Sequence, residues 1–185
     1  MSLRELDDAT RESLLLVARH AIERELHVRE GAPDPGPPPR TLDAARRSRA
    51  AFVTLKTDEP PRLRGCIGTL EPEGPLDRTV ARYARHAALD DPRFPPLRAE
   101  EWPRVAVSIS VLAPARPVTT EEEIEPGTHG VILERDGKRA VFLPQVATEQ
   151  GWDRTTLLEH LARKAGLPRD AWRGAHLALF ETENF

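Results

Sequence analysis

Cys66 is the only cysteine of the chain, and it stands between two glycines in Leu63-Arg64-Gly65-Cys66-Ile67-Gly68-Thr69-Leu70. A thiol acts as a nucleophile when a base or a cation lies close enough to favour the thiolate. Successive side chains of an extended strand alternate between faces, so Arg64, two residues before Cys66, is expected on the same face with its charge toward the sulfur. Glycine inside a strand loses packing and adds chain entropy, so Gly65 and Gly68 are expected where a backbone or a ligand approaches closely. The competing reading makes Cys66 a small buried apolar residue, as free cysteines often are.

His129 lies in Thr128-His129-Gly130, just ahead of an apolar run, where a loop held by a rigid scaffold can present a functional side chain. It is the candidate acid/base partner of Cys66, and the bland alternative is a turn residue that bonds its own backbone. Asp91 and Arg93 sit in a Pro-punctuated loop; Asp-Pro can begin a turn with no further role, whereas an arginine held rigidly would suit a carboxylate or phosphate through its two-pronged donor geometry. Lys164 could bind an anion too, but near a helix C-terminus its simplest role is to meet the last carbonyls. No HExxH, CxxC or two-His-one-carboxylate spacing is present, so no metal site is expected. Gly65-Cys66-Ile67-Gly68 is neither a dinucleotide fingerprint nor a P-loop, and no cofactor is evident.

The elements that must position these residues follow from periodicity. Leu14, Val17, Ala18, Ala21, Ile22 and Leu26 predict an amphipathic helix over about 8–28, stopped by the proline-rich run 31–39. A short helical piece is expected near 42–48. Strands are expected at 51–56 and 63–70, able to pair through the turn Thr57-Asp58-Glu59-Pro60-Pro61. Leu76, Val80, Tyr83, Ala84 and Ala87 mark a helix over about 75–89, with proline in its first turn. Residues 105–112 alternate as a core strand with one fully apolar face. Strands at 130–134 and 138–143 flank Arg135-Asp136-Gly137, a hairpin signal. Asp153 is the expected cap of a helix that Gly166 ends, and 177–180 reads as a final strand. Antiparallel hairpins with segregated helices give an α+β fold with an antiparallel sheet core and flanking helices.

A chain of 185 residues fits one domain, 1–185, with room for a small second lobe. With 31% charged residues and no long apolar run, a soluble chain without a membrane span is expected; the first residues lack a signal-peptide core, and a single free thiol suits a reducing cytoplasm. The net charge of −3 gives no general attraction to nucleic acid, and aromatics at 5% are too few for an obvious stacking platform. Residues 40–98 hold twelve Lys/Arg against eight Asp/Glu, while 99–136 hold three against eight. Lys56, Lys138 and Lys164 are the only lysines among the 27 basic residues.

LRGCIGTL resembles the hallmark of the AMMECR domain family, whose microbial members are called AmmeMemoRadiSam system protein A. The resemblance extends through Ala51-Phe52-Val53-Thr54-Leu55, Asp91-Pro92-Arg93-Phe94-Pro95-Pro96-Leu97, Ser108-Ile109-Ser110-Val111-Leu112, Gly127-Thr128-His129-Gly130-Val131, Phe142-Leu143-Pro144-Gln145-Val146, Gly151-Trp152-Asp153 and Lys164-Ala165-Gly166-Leu167. Ordered blocks from about 50 to 167 are far more specific than one short motif. Ala51 departs from the pattern, where the family often carries a bulkier apolar residue. The resemblance implies an α+β fold in two lobes with a cleft near the LRGCIG strand, and it singles out His129 among the six histidines. It also implies a family without an established reaction, associated with Memo-type and radical-SAM partners, and brings Gln145 into the set of substrate-binding residues.

Two function classes follow. In the first, a Cys-dependent enzyme or modifying accessory uses Cys66 as nucleophile and His129 as acid/base, with Arg64, Gly65, Gly68, Asp91, Arg93 and Gln145 around a small or anionic substrate. In the second, a non-catalytic scaffold binds a small molecule, a peptide or a nucleic acid. For the nucleic-acid version, Arg46, Arg47, Arg49, Arg82 and Arg85 would have to form one surface, yet they are expected on two helices and partly matched by Asp43 and Asp77. Generic nucleic acid should therefore bind no tighter than a salt-sensitive background of about 10⁻⁴–10⁻⁶ M. A fluorescence-anisotropy titration at physiological salt checks this, and nanomolar binding lost on Arg46→Ala with Arg47→Ala would reverse the ranking.

Overall fold

Ala51–Thr57 forms strand β1, and its burial alternates as a half-covered strand requires: Ala51, Val53 and Leu55 are fully buried, while Phe52 and Thr54 are half-exposed and Lys56 is exposed. This computed structural model describes residues 6–57 and 60–185. The expected turn at Asp58-Glu59 and the N-terminal residues 1–5 lie outside the described residues. The chain divides into two compact units, one running up to Leu112 and joined by Glu183–Phe185, the other Ala113–Thr182.

In the first unit, helix α1 (Asp8–Glu30) starts on Asp7, whose carboxylate accepts from the Thr10 amide, and ends where Gly31 turns left-handed at φ 69°. The proline-rich run follows without regular structure, and the short piece at Asp43–Arg46 is 3₁₀. β1 pairs antiparallel with β2 (Arg62–Gly68) as expected, and with β3 (Val105–Leu112) on its other side. Helix α2 (Leu76–Leu89) packs with α1 and the inner face of the sheet in one core that includes Leu14, Ile22, Val53, Leu55, Val80, Ile109 and Val111. A last strand, β8 (Thr182–Asn184), completes the order β2-β1-β3-β8. Beyond it, the Ile109 and Phe185 main chains exchange hydrogen bonds of 2.7 and 3.1 Å.

The second unit builds the sheet β4-β7-β5-β6 from β4 (Arg116–Pro117), β5 (Gly130–Arg135), β6 (Lys138–Phe142) and β7 (His176–Phe180). The β5–β6 turn carries Asp136 at φ 52° and Gly137 at φ 72°, the paired left-handed residues that match hairpin twist. Helix α3 (Pro144–Gln150) was not expected, although Pro144 at its first position and Gly151 at φ 65° just past its end are both recognisable signals. Asp153 caps helix α4 (Arg154–Lys164) through the Thr156 amide. Gly166 follows at φ 69°, with the Gly166 and Leu167 amides donating to the Arg163 and Ala162 carbonyls at 2.9 and 3.0 Å. Leu157, Leu158, Leu161, Val131, Leu133 and Leu179 close this core. The α+β fold is as the sequence indicates, and no helix among the described residues is long and apolar enough to cross a membrane.

Helix α2 meets β2 at Gly65. A side chain there would collide with the Ala87 carbonyl, which is backbone and cannot rotate away. Gly68 has the same constraint against Ala51 and Phe52. Gly65→Val should therefore lower stability by about 1–3 kcal/mol through overpacking, despite the β-propensity of valine. A chemical-denaturation curve matching that of the parent would show that α2 can move aside.

Candidate functional site

β2 lies at an edge of its sheet, so half of its backbone groups have no strand partner. At Cys66 the loop after α2 supplies them. The Cys66 amide donates to Asp91 Oδ2 at 2.9 Å, and Arg93 Nη2 donates to the Cys66 carbonyl at 3.1 Å. Arg93 also grips Asp91 itself, with Nε to Oδ1 at 2.9 Å, Nη2 to Oδ2 at 2.7 Å and its own amide to Oδ1 at 3.1 Å. A carboxylate and a guanidinium thus take the place of a neighbouring strand and fix the Cys66 peptide from outside. The loop is in turn tied to α2, because the Leu97 amide donates to the Ala88 carbonyl at 2.8 Å.

The Asp91 side chain is only 1% exposed, and the Arg93 guanidinium bonded to it holds its carboxyl far below the usual carboxylate range; burial works against this, and the Cys66 and Arg93 amides reinforce it. Arg93 is pushed up in turn by the Asp91 carboxylate, while half of its side chain stays in solvent.

The sulfur stays within electrostatic reach of the Arg93 guanidinium. Cys66 pairs with Thr54 across β1, on the face opposite the helices, and Thr54 Oγ1 donates to Cys66 Sγ at 3.2 Å. Ser108 of β3 pairs with Thr54 from the far side and is exposed, so Cys66, Thr54 and Ser108 form a row of small polar groups across three strands. Sequence reasoning passed over Thr54 and Ser108, because the register that sets them beside Cys66 is not held by any one strand.

The expected position of Arg64 is corrected. Leu55 pairs with Gly65, but Lys56 pairs with Leu63, so Arg64 is the extra residue of a β-bulge and leaves the alternation. Its buried guanidinium pairs with Glu101, Nε to Oε1 at 3.0 Å and Nη2 to Oε2 at 3.1 Å, and holds the Glu101 carboxyl below its ordinary value. Arg64 is thus committed to Glu101 beside the edge strand. Asp77, expected to match part of the candidate arginine surface, accepts from the Arg78 amide, while Arg82 reaches Glu73 at 2.8 Å.

His129 and Gln145 belong to the second unit. His129 accepts the Glu125 amide on Nδ1 at 3.1 Å, which leaves the ring hydrogen on Nε2, and its own amide returns to the Glu125 carbonyl at 2.9 Å. This is the backbone-bonding turn. Gln145, in α3, is half-buried, with its Oε1 buried and unbonded. Lys164 meets the Val141 carbonyl at 2.9 Å and lies 4.6 Å over the Phe142 ring, so it is spent on β6. Trp152 stacks on His160 at 4.1 Å, a partner no periodicity could supply.

Two antiparallel four-stranded sheets with helices, and a clamped cysteine on an edge strand, define an α+β protein built around a GCxG strand. The chain belongs to the AMMECR1 family, which it matches over residues 15–185. It is similar to a protein of Methanopyrus kandleri, with 38% identity over 94% of this chain and 86% of that one, and to one of Methanothermobacter thermautotrophicus, with 41% identity over 86% and 84%. The crystal structure of an uncharacterised Pyrococcus horikoshii protein superposes with a TM-score of 0.84 at 34% identity, covering 97% of this chain and 92% of that one.

Asp91 carries a pH signature. Its folded carboxyl titrates below the unfolded value of about 3.9. The stabilisation it gives is therefore complete above that value and fades as the pH falls toward the lowered folded one. Asp91→Asn should lose about 2–3 kcal/mol at neutral pH, the worth of hydrogen bonds to a charged group, and should flatten the acid limb of stability. Urea unfolding from pH 7 down to pH 2 checks this; parallel curves for variant and parent would exclude Asp91 as the titrating group.

Proposed function

We propose that this protein acts through the Cys66 face of its first sheet, as a thiol-dependent enzyme or modifying accessory on a small molecule. The observation that carries the reading is the clamp: both backbone groups of one edge-strand cysteine are held by a buried carboxylate and its arginine. Solvent could satisfy an exposed edge peptide at little cost, so a charged pair committed to it makes best sense if the thiol must be held in place. The partly buried Cys66 and the Thr54 hydroxyl directed at its sulfur fit the same role. Partners of the Memo and radical-SAM type, and a cytoplasmic setting that keeps the thiol reduced, belong to this proposal.

One observation favours a non-catalytic binding role instead. The side-chain group bonded to the sulfur is a hydroxyl, which positions it but is a poor base at neutral pH.

Iodoacetamide should alkylate the folded protein once, at Cys66, and leave Cys66→Ser unlabelled. Thr54→Val should alter the rate while costing about 1 kcal/mol of stability, the worth of one ordinary hydrogen bond. Intact-mass kinetics read both. A Cys66 that reacts only after denaturation would overturn the proposal.

A further inference from the structure

Apart from Arg62, which pairs with Thr57 and so stands on the sheet face opposite Cys66, three cations surround the Cys66 strand, and two of them are matched. Arg64 is paired with Glu101, and Arg93 with Asp91. The third is Lys56. It follows Thr54 by two residues on β1, whose register with β3 is unbroken, so it lies on the face of Thr54 and Cys66. Diagonal neighbours of this kind in an antiparallel pair are about 7–8 Å apart, within reach of a long side chain. Lys56 is exposed, and among the described residues it makes no hydrogen bond or ion pair.

The bulge explains why this charge belongs to the sulfur's face. Without the extra residue, Arg64 would stand directly opposite Lys56, two like charges in one cross-strand pair. With it, Lys56 faces Leu63, and Arg64 is drawn off to Glu101. The neighbours on the same face, Ala106 and Ser108, are small and uncharged. The other two lysines of this arginine-rich chain each bond a carbonyl, Lys138 to Gly166 at 2.6 Å and Lys164 to Val141 at 2.9 Å. Among the described residues Lys56 has no partner for its ammonium, which sits on a flexible stem beside hydroxyls and a thiol.

We propose that Lys56 supplies the positive charge of the Cys66 face, and that the small molecule handled there carries an anionic group, a carboxylate or a phosphate. The inference rests on the reading of Cys66 given above. It predicts that a negatively charged electrophile gains at Cys66 relative to a neutral one of the same shape.

Iodoacetate and iodoacetamide are such a pair, and the ratio of their rates removes whatever Lys56 does to the thiol itself. At low salt the ratio should fall roughly threefold in Lys56→Gln, the Boltzmann factor of one charge about 7 Å away in water. It should be kept in Lys56→Arg and shrink with added sodium chloride. Sodium phosphate or sodium acetate that slows iodoacetamide more than sodium chloride of equal ionic strength assigns the anion, and equal rates in all three would overturn the bound-anion half of the proposal. A ratio unchanged in Lys56→Gln, with Cys66 still labelled in the folded protein, would overturn the role of Lys56 alone. If neither reagent labels the folded protein, the reading of Cys66 falls, and this inference with it.

Discussion

The hydrogen bonds between Asp91, Arg93 and the Cys66 peptide are the constraint on which the first sheet depends. An edge strand exposes a row of donors and acceptors, and natural proteins cover or blunt it. Here a loop does so with side chains at the cysteine. The arrangement is stable because the two charges cancel at contact distance and because the carboxylate accepts four donors in all.

Other features of the unit follow from that clamp. The loop can reach β2 only if α2 ends close by, and α2 comes so close that Gly65 has no room for a side chain. The bulge at Arg64 sits next to this contact and turns a charged side chain toward Glu101, leaving the sulfur's face to Thr54, Ser108 and Lys56. Clamp, glycine and bulge act together: one locks the backbone, one admits the helix, and one clears the face that carries the thiol.

The second unit uses its motif residues differently. His129 is absorbed into its own turn, and Lys164 and Lys138 cap main-chain carbonyls. Residues that stand out in a sequence for their chemistry can serve a fold just as specifically, because a loop or a helix end leaves backbone groups that only a polar side chain can reach.

Much of the architecture was legible without coordinates. Periodicity marks α1, α2, α4 and β3, since a buried face imposes its repeat on the chain wherever the element is long enough. Asp153, Gly166 and Asp136-Gly137 name their turns because cap and hairpin geometries accept few residue types. The short elements α3, β4 and β8 escape, because two to seven residues carry no period, and the two strands pair with partners far away in the chain. The Cys66 strand was visible for the same local reason: a thiol between glycines is unusual wherever it occurs. What borders the thiol was not. Asp91 and Arg93 lie 25 and 27 residues from Cys66, Thr54 lies 12 away, and one extra residue in β2 decides that Arg64 turns to Glu101 while Lys56 shares the sulfur's face. A side-chain period of two makes every such assignment depend on register, and register is a property of paired strands that neither strand holds alone.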